Sequence, residues 1–387
     1  RDRLRSRGLG DVYKRQPEIV STKSNVSAQE LKSLALDSGN IKLLSTGNFD
    51  GYTDNSIYAG DVDDLEVITI PSGGTANIKY YNGQFINSGN IIGTSTDYDK
   101  YYLKYIYYCL LNKNEIVQSF FSGSSVQHPD MKQIIQIKIP IPPIEIQKEI
   151  VRILDRFVEL EAELEAELEA RKSQYEFWRE KLFEIKDAKE IRLDELFNLK
   201  NGFTPSKSNN EFWENGTIPW FRMEDIRENG RILNDSIQHV TVEATKGNIM
   251  PANSIIVSTS ATIGEHALIT CKSLSNQRFT YLVLKDEYKN FVDMKYIFYH
   301  CFLLDKYCLG NLNQGNFASI DMNAFRKYIF KIPSLDKQNR IVDILDKFDS
   351  LVNDISVGLP AEIELRRKQY EYYRNKLLSF EELSVSE

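Results

Sequence analysis

IPPIEIQKEIVRILDRF at Ile141–Phe157 returns as IPSLDKQNRIVDILDKF at Ile332–Phe348, 191 residues further on. Pro142 and Pro333, Gln147 and Gln338, Ile150 and Ile341, Val151 and Val342 coincide at that offset, and so do Ile153 and Ile344, Leu154 and Leu345, Asp155 and Asp346, Phe157 and Phe348. Self-similarity at a fixed offset marks a duplicated structural unit and takes precedence over any local reading. Upstream, Lys104-Tyr105-Ile106 matches Lys295-Tyr296-Ile297, and Asp130-Met131 matches Asp321-Met322. Downstream, RKSQYEFWREKL (Arg171–Leu182) matches RRKQYEYYRNKL (Arg366–Leu377) at an offset of 195. The four extra residues fall near Gly358-Leu359-Pro360, where a helix would break. Each half therefore reads as a globular domain, a proline-marked strand exit and a long helix.

From Ile146 the apolar residues recur at three and four: Ile150, Ile153, Phe157, Leu160, Leu164, Leu168, then Tyr175, Trp178 and Leu182. That is a heptad-like helical stripe, with Glu145 and Glu149 at the end where the helix dipole favours carboxylates. About 40 residues at ~1.5 Å each give a rod of roughly 60 Å. The second copy carries Leu335, Ile341, Ile344, Leu345, Phe348, Leu351 and Ile355. After the break it continues with Ile363, Leu365, Tyr370, Tyr373 and Leu377. One such stripe cannot bury itself. Antiparallel pairing of the two helices is the expectation; the blander alternative folds each helix onto its own domain. Aromatic residues left outside, namely Tyr175, Phe177 and Trp178, with Tyr370, Tyr372 and Tyr373, are candidates for docking protein partners.

The formal net charge of −7 argues at first against a nucleic-acid binder. Its distribution weakens that objection. Residues 145–184 carry a balance of −5 and residues 336–387 one of −3, whereas residues 185–332 stand at +1. No apolar run approaches the ~20 residues of a bilayer-spanning helix. Cys109, Cys271, Cys301 and Cys308 contain no CxxC pair, which suits reduced thiols in the cytoplasm. The opening RDRLRSRGLGDVYKRQ has six basic residues and no amphipathic period, and reads as a non-native leader in which LGDVY could still be an opening strand.

The expected fold is α+β: two mixed α/β domains at 17–140 and 187–332, with helical spacers at 141–186 and 333–380 forming an antiparallel coiled coil. A leader at 1–16 and a tail at 381–387 flank them. Short β-like runs such as LEVITIP and SIIVSTS alternate with loops rich in Asn, Gln, Ser and Thr. Such side chains can pair with base edges or grip phosphates. In the first domain the candidates are Asn48, Tyr52, Ser72, Asn77, Lys79 and Asn87. In the second they are Lys207, Trp220, Arg222, Ser260, Thr262, Asn276, Gln277, Arg278, Asn313 and Gln314. Taken singly, each polar position is also an ordinary solvated turn, and Trp220 reads first as core. The two domains differ more in these loops than in their helices, as readers of two different half-sites would.

Catalytic patterns are missing. The nearest string to a phosphate-binding loop, Gly310–Gly315, is followed by Asn316 rather than Lys. Neither the Asn-Pro-Pro-aromatic nor the Asp-Pro-Pro-Tyr tetrapeptide of adenine methyltransferases occurs. Pro129-Asp130 could begin a nuclease motif, but Asp187-Ala188-Lys189 lies across the long helix and Asp130 recurs as Asp321, which favours a structural role. His128, His239, His266 and His300 lack metal-ligand spacing.

The signature I-P-x-x-x-x-Q-x-x-I-V-x-I-L-D-x-F and the helix ending R/K-x-Q-Y-x-x-aromatic-R-x-K-L, each present twice, resemble the shared helical regions of type I restriction–modification specificity subunits. The loop Ser260-Ala261-Thr262-Ile263-Gly264 with Asn276-Gln277 is similar to a recurrent element of their target-recognition domains. The resemblance spans about residues 17–380. It implies a bipartite, asymmetric DNA target with one domain per half-site, and methyltransferase subunits docked on the helices. It also implies restriction subunits for translocation and cleavage. S-adenosylmethionine, ATP and Mg would serve those partners, with no cofactor and no catalysis in this chain. A protein-only coiled-coil scaffold, a methyltransferase complex lacking restriction, and a self-contained nuclease using Asp130 are the competing readings.

Overall fold

The computed structural model describes residues 18–313, 319–354 and 356–380. The leader, the tail and Gln314 lie outside these. The chain divides into two compact units: Arg1–Glu165 with Ile363–Glu387, and Ala166–Glu362.

The first unit opens with β1 (Glu18–Val20), α1 (Ala28–Ser33), β2 (Ile41–Leu44) and β3 (Asp50–Thr53). Then come β4 (Asp63–Pro71), β5 (Lys79–Asn87) and β6 (Asn90–Thr94). Helices α2 (Leu103–Asn112) and α3 (Asn114–Ser119), the short pair β7 (Phe121–Ser122) and β8 (His128–Pro129), and α4 (Met131–Ile134) lead to α5 (Ile144–Lys181). The sheet order is β1-β6-β4-β5-β2-β3, antiparallel except for the parallel pair β2–β5. The strand expected at LGDVY lies outside the described residues; the first described strand, Glu18–Val20, takes the edge beside β6. Asp130 accepts hydrogen bonds from the Lys132 and Gln133 amides at the start of α4. Asp321 does the same for Asn323 in the second unit. These aspartates are helix caps, which accounts for their recurrence.

The second unit holds β9 (Lys189–Arg192), α6 (Leu193–Leu196), β10 (Phe197–Asn201), β11 (Ile218–Phe221) and α7 (Met223–Asn229). Next are β12 (Ile232–Leu233), β13 (His239–Val240), β14 (Ser254–Ser258), β15 (His266–Ile269), β16 (Leu274–Ser275) and β17 (Phe279–Leu284). It ends with α8 (Met294–Leu309), α9 (Met322–Arg326), β18 (Ile329–Ile332) and α10 (Leu335–Asn353), and α11 (Leu359–Leu378) starts in it. Its main sheet runs β10-β17-β14-β15-β12, again antiparallel but for one parallel pair, β12–β15. Strand for strand this is the first sheet without its outermost member. The duplication thus extends through sheets whose sequences do not align. A small sheet, β13-β11-β16, is added beside it.

The signature residues explain themselves in the packing. Gln147 is fully buried; its carbonyl accepts from the Tyr102 amide, and its Nε2 donates to the Lys100 and Pro142 carbonyls. Gln338 repeats each contact with Asp293, Phe291 and Pro333. Asp155 takes Lys104 Nζ and Tyr108 Oη, both at 2.6 Å, and Asp346 takes Lys295 and Tyr299 at the same distances. Desolvation and the bonded carboxylate push both phenols well above their usual range.

In the first unit Phe157 of α5 meets Tyr370 and Tyr373 of α11 at 6.4 and 5.5 Å, and Arg367 bonds Glu161 and Glu165 at 2.5 Å. In the second, Tyr175 of α5 stacks on Phe348 of α10 at 6.0 Å. Phe157–Tyr370 and Phe348–Tyr175 are the same contact in the repeat. Tyr175 is 4% exposed, so it belongs to the core and not to a docking surface, a correction to the expected set. Tyr370 is half-buried, while Trp178 (39%) and Tyr373 (38%) remain outside, beside the more exposed Phe177 and Tyr372. α10 ends at Asn353 and α11 starts at Leu359, so Pro360 sits in the first turn of α11, where proline is tolerated. All four cysteines are free thiols, and burial pushes those of Cys109 and Cys308 up to about 12. No helix among the described residues is long and apolar enough to cross a membrane.

Candidate nucleic-acid interface

In the first unit the loops at 45–49, 72–77 and 88–89 meet at one end of the sheet. Asn77 donates to the Thr46 and Gly47 carbonyls, and Lys79 Nζ to the Ser45 and Gly47 carbonyls. Both therefore brace the loop whose tip carries exposed Asn48. Ser72 is exposed; its amide bonds Gly89 and its carbonyl bonds His128 Nδ1 at 2.7 Å. Tyr52 is set apart on β3, under the Lys42 ammonium at 4.2 Å. Asn87 is corrected. It is 3% exposed, its amide group serves Thr22 and the Asn90 carbonyl, and its oxygen takes the Asn90 amide. Nothing of it is left for a ligand.

Four segments converge in the second unit. Gly202 donates to the Phe279 carbonyl, and a Cβ there would lie 2.3 Å from the Asn276 oxygen, so only glycine lets the 201–209 segment approach so closely. Thr204 Oγ1 then bonds Gln277 Oε1 at 2.5 Å. The Thr259 amide donates to the Arg278 carbonyl, and Ser260 bridges Ser319. Asn313 donates to Ser319 Oγ and the Ile320 carbonyl. One surface thus gathers Thr204, Ser260, Thr262, Asn276, Gln277, Arg278 and Asn313. Ala261, at φ +69, holds the tip of its loop in a left-handed turn. Lys207 is exposed on the 201–209 segment.

Trp220 leaves the candidate set for the core reading that came first: it is 3% exposed in a small core with Val240, Ala244 and Leu274. Its Nε1 donates to the Phe203 carbonyl, and the neighbouring Trp213 donates to the Ser206 carbonyl. The two indoles therefore shape the 203–206 backbone. Thr204, Trp213 and Asp225 were not singled out from sequence. Only Asp225 carried a signal, a carboxylate three residues after Arg222 at a helix start. Asp225 is fully buried, and accepts from the Arg222 and Ile237 amides at 2.6 Å each. Among the described residues no group of three or more His, Cys, Asp and Glu side chains could hold a metal ion.

Residues 21–170 and 185–365 match a protein family described as Type I restriction modification DNA specificity domain. A type I restriction enzyme specificity subunit of Escherichia coli is 37% identical over 408 residues, spanning 96% of this chain and 93% of the relative. Another from Escherichia coli is 51% identical over 214 residues, a match spanning 53% of this chain and 53% of that relative. The S subunit of a type I restriction–modification system from M. genitalium superposes with a TM-score of 0.55 at 15% identity, covering 97% of this chain and 99% of the other. A chain from a structure concerned with assembly and conformational transition of the type I R-M system gives 0.59 at 16% identity, covering 82% and 83%. At those identities the superpositions speak for the fold alone.

Proposed function

Because the chain belongs to the type I restriction–modification DNA specificity family, we propose that it is the sequence-specific DNA-binding subunit of such a complex, with one recognition domain per half-site of a bipartite, asymmetric target. The observation that carries this is a pair of domains with one strand order and one set of buried contacts but different loops. A repeated frame supplies the same presentation twice. Divergent side chains on it supply two specificities.

The helical segments form an antiparallel coiled coil that spaces the two domains. In support, partners on α11 fall in number as those on α5 rise, from Phe157 with Tyr373 to Glu165 with Arg367. Methyltransferase subunits dock on these helices at Trp178 and Tyr373, with Tyr370 beneath, and bring S-adenosylmethionine chemistry. Restriction subunits bring ATP- and Mg-dependent translocation and cleavage. The chain itself binds no cofactor, performs no catalysis and works in the cytoplasm. Asn48, Ser72, Tyr52, Asn77 and Lys79 serve the first half-site; Lys207, Ser260, Thr262, Asn276, Gln277, Arg278, Asn313 and Gln314 serve the second.

Replacing residues 187–332 with the corresponding domain of a relative, then mapping methylated adenines in the host genome, tests the reading. One half of the methylated motif should change. A motif altered in both halves overturns independent reading, and duplex binding without steep salt dependence favours a protein-only scaffold.

A further inference from the structure

Arg222 stands apart from the other cations of the second domain. It follows β11 directly, and the Asn276 amide donates to the Phe221 carbonyl just before it. Arg222 therefore borders the surface formed by Asn276, Gln277 and Thr204. Its guanidinium lies over the Trp220 ring, 5.8 Å from the centroid, and Trp220 is itself immobilised by its Phe203 bond. Nε is buried and makes no hydrogen bond, with the Glu224 carboxylate 3.9 Å away. The side chain as a whole is 30% exposed. The backbone beneath is fixed from three directions. The Arg222 amide is held by Asp225, the Trp220 amide by Ser236 Oγ at 2.9 Å, and the Phe221 carbonyl by Asn276.

A phosphate contact asks only for nearby positive charge, and the exposed Arg278 and Lys207 suit that. A guanidinium seated over an indole, with a planar fork of donors on its terminal nitrogens, suits a ligand with two adjacent acceptors in one plane. In the major groove that is the O6/N7 edge of guanine. Lysine cannot reproduce the fork. We propose that Arg222 reads a guanine in the half-site of the second domain, with Asp225 as the positioning residue that aims it. The proposal rests on the DNA-specificity reading and adds a base identity to it.

The test uses the chain assembled with its methyltransferase subunits and a panel of duplexes in which each base pair of the mapped target is replaced in turn. Arg222→Lys keeps the charge and removes the fork. Affinity for the mapped target should fall about 10- to 100-fold, and discrimination should vanish at a single G·C pair. Both the first half-site and the salt slope should be unchanged. Asp225→Asn should relax the same pair, more weakly. A uniform loss across the panel, relaxation at an A·T pair, or no change with Arg222→Lys overturns the proposal while leaving the DNA reading intact. A wild-type assembly without preference for any duplex overturns both. Retained discrimination at the other base pairs of the second half-site shows that the second domain of each variant is folded.

Discussion

Gln147 and Gln338 are themselves buried, and each satisfies three backbone groups from the first turn of its helix. Gln338→Leu would orphan the Asp293 amide and the Phe291 and Pro333 carbonyls, at roughly 1–3 kcal/mol each. A loss of at least about 3 kcal/mol in urea unfolding is expected; a loss below about 1 would show that water replaces the side chain. His300 is fully buried among Phe183, Tyr296 and Phe330, and desolvation depresses its pKa to about 3. Above about pH 6.5 the ring is neutral folded or unfolded, and contributes no pH dependence. Below it the unfolded chain takes up the proton and the folded one does not, so stability falls by up to about 1.4 kcal/mol per pH unit. His300→Phe removes that loss. Urea midpoints at pH 7.5, 6.0 and 5.0 should move in favour of the variant as pH falls, and a constant difference between the two proteins would refute the assignment. The repeat marked the glutamines as paired but not as buried, because spacing registers position and not hydrogen bonds. Asn87 misleads for the same reason: a polar residue in a loop-like stretch looks available until its partners are placed.

The turn between α10 and α11 shows how far an element can be foreseen. Its place near Gly358-Leu359-Pro360 is legible, but its cause is the glycine. A Cβ on Gly358 would lie 2.5–2.8 Å from the Ser350, Asp354 and Leu351 carbonyl oxygens, whereas Pro360 begins a helix. Gly358→Ala should therefore cost about 1–3 kcal/mol, while Pro360→Ala stays within about 0.5. Equal thermal shifts for the two would assign the break to the proline. Along the helices the aromatic contacts matter more than the ion pairs. Arg367, half-exposed beside Glu161 and Glu165, should contribute little, and less still in salt. Phe157→Ala should cost more, about 1–3 kcal/mol, since ring contacts with Tyr370 and Tyr373 are lost. A double-mutant comparison in low and high salt separates the two.

Across the molecule, the helices align by sequence and the sheets do not, yet the strand order is common to both units. A strand needs only apolar residues at alternate positions, so its identities drift. Gln147 and Asp155 cannot drift, because each has fixed hydrogen-bonding partners. That is why the duplicated plan was readable and the loop geometry was not: the convergence of residues 201–209, 259–264, 276–278 and 311–313 depends on backbone bonds that no spacing encodes. Inserting one helical turn near Leu168 should lengthen the unread gap of the target without altering the bases read; an unchanged gap in the methylated motif would defeat the spacer idea. The first unit also has an ordering in time. Its closing helix, with Leu378 buried and Tyr370 and Leu377 packed against its core, follows the whole second unit in the chain. At roughly 5–20 residues per second on the ribosome, the interval between Glu165 and Ile363 is of the order of ten to forty seconds. During that wait the stripe around Phe157 is uncovered, so a nascent chain halted before α11 should be more protease-sensitive in its first half than in its second.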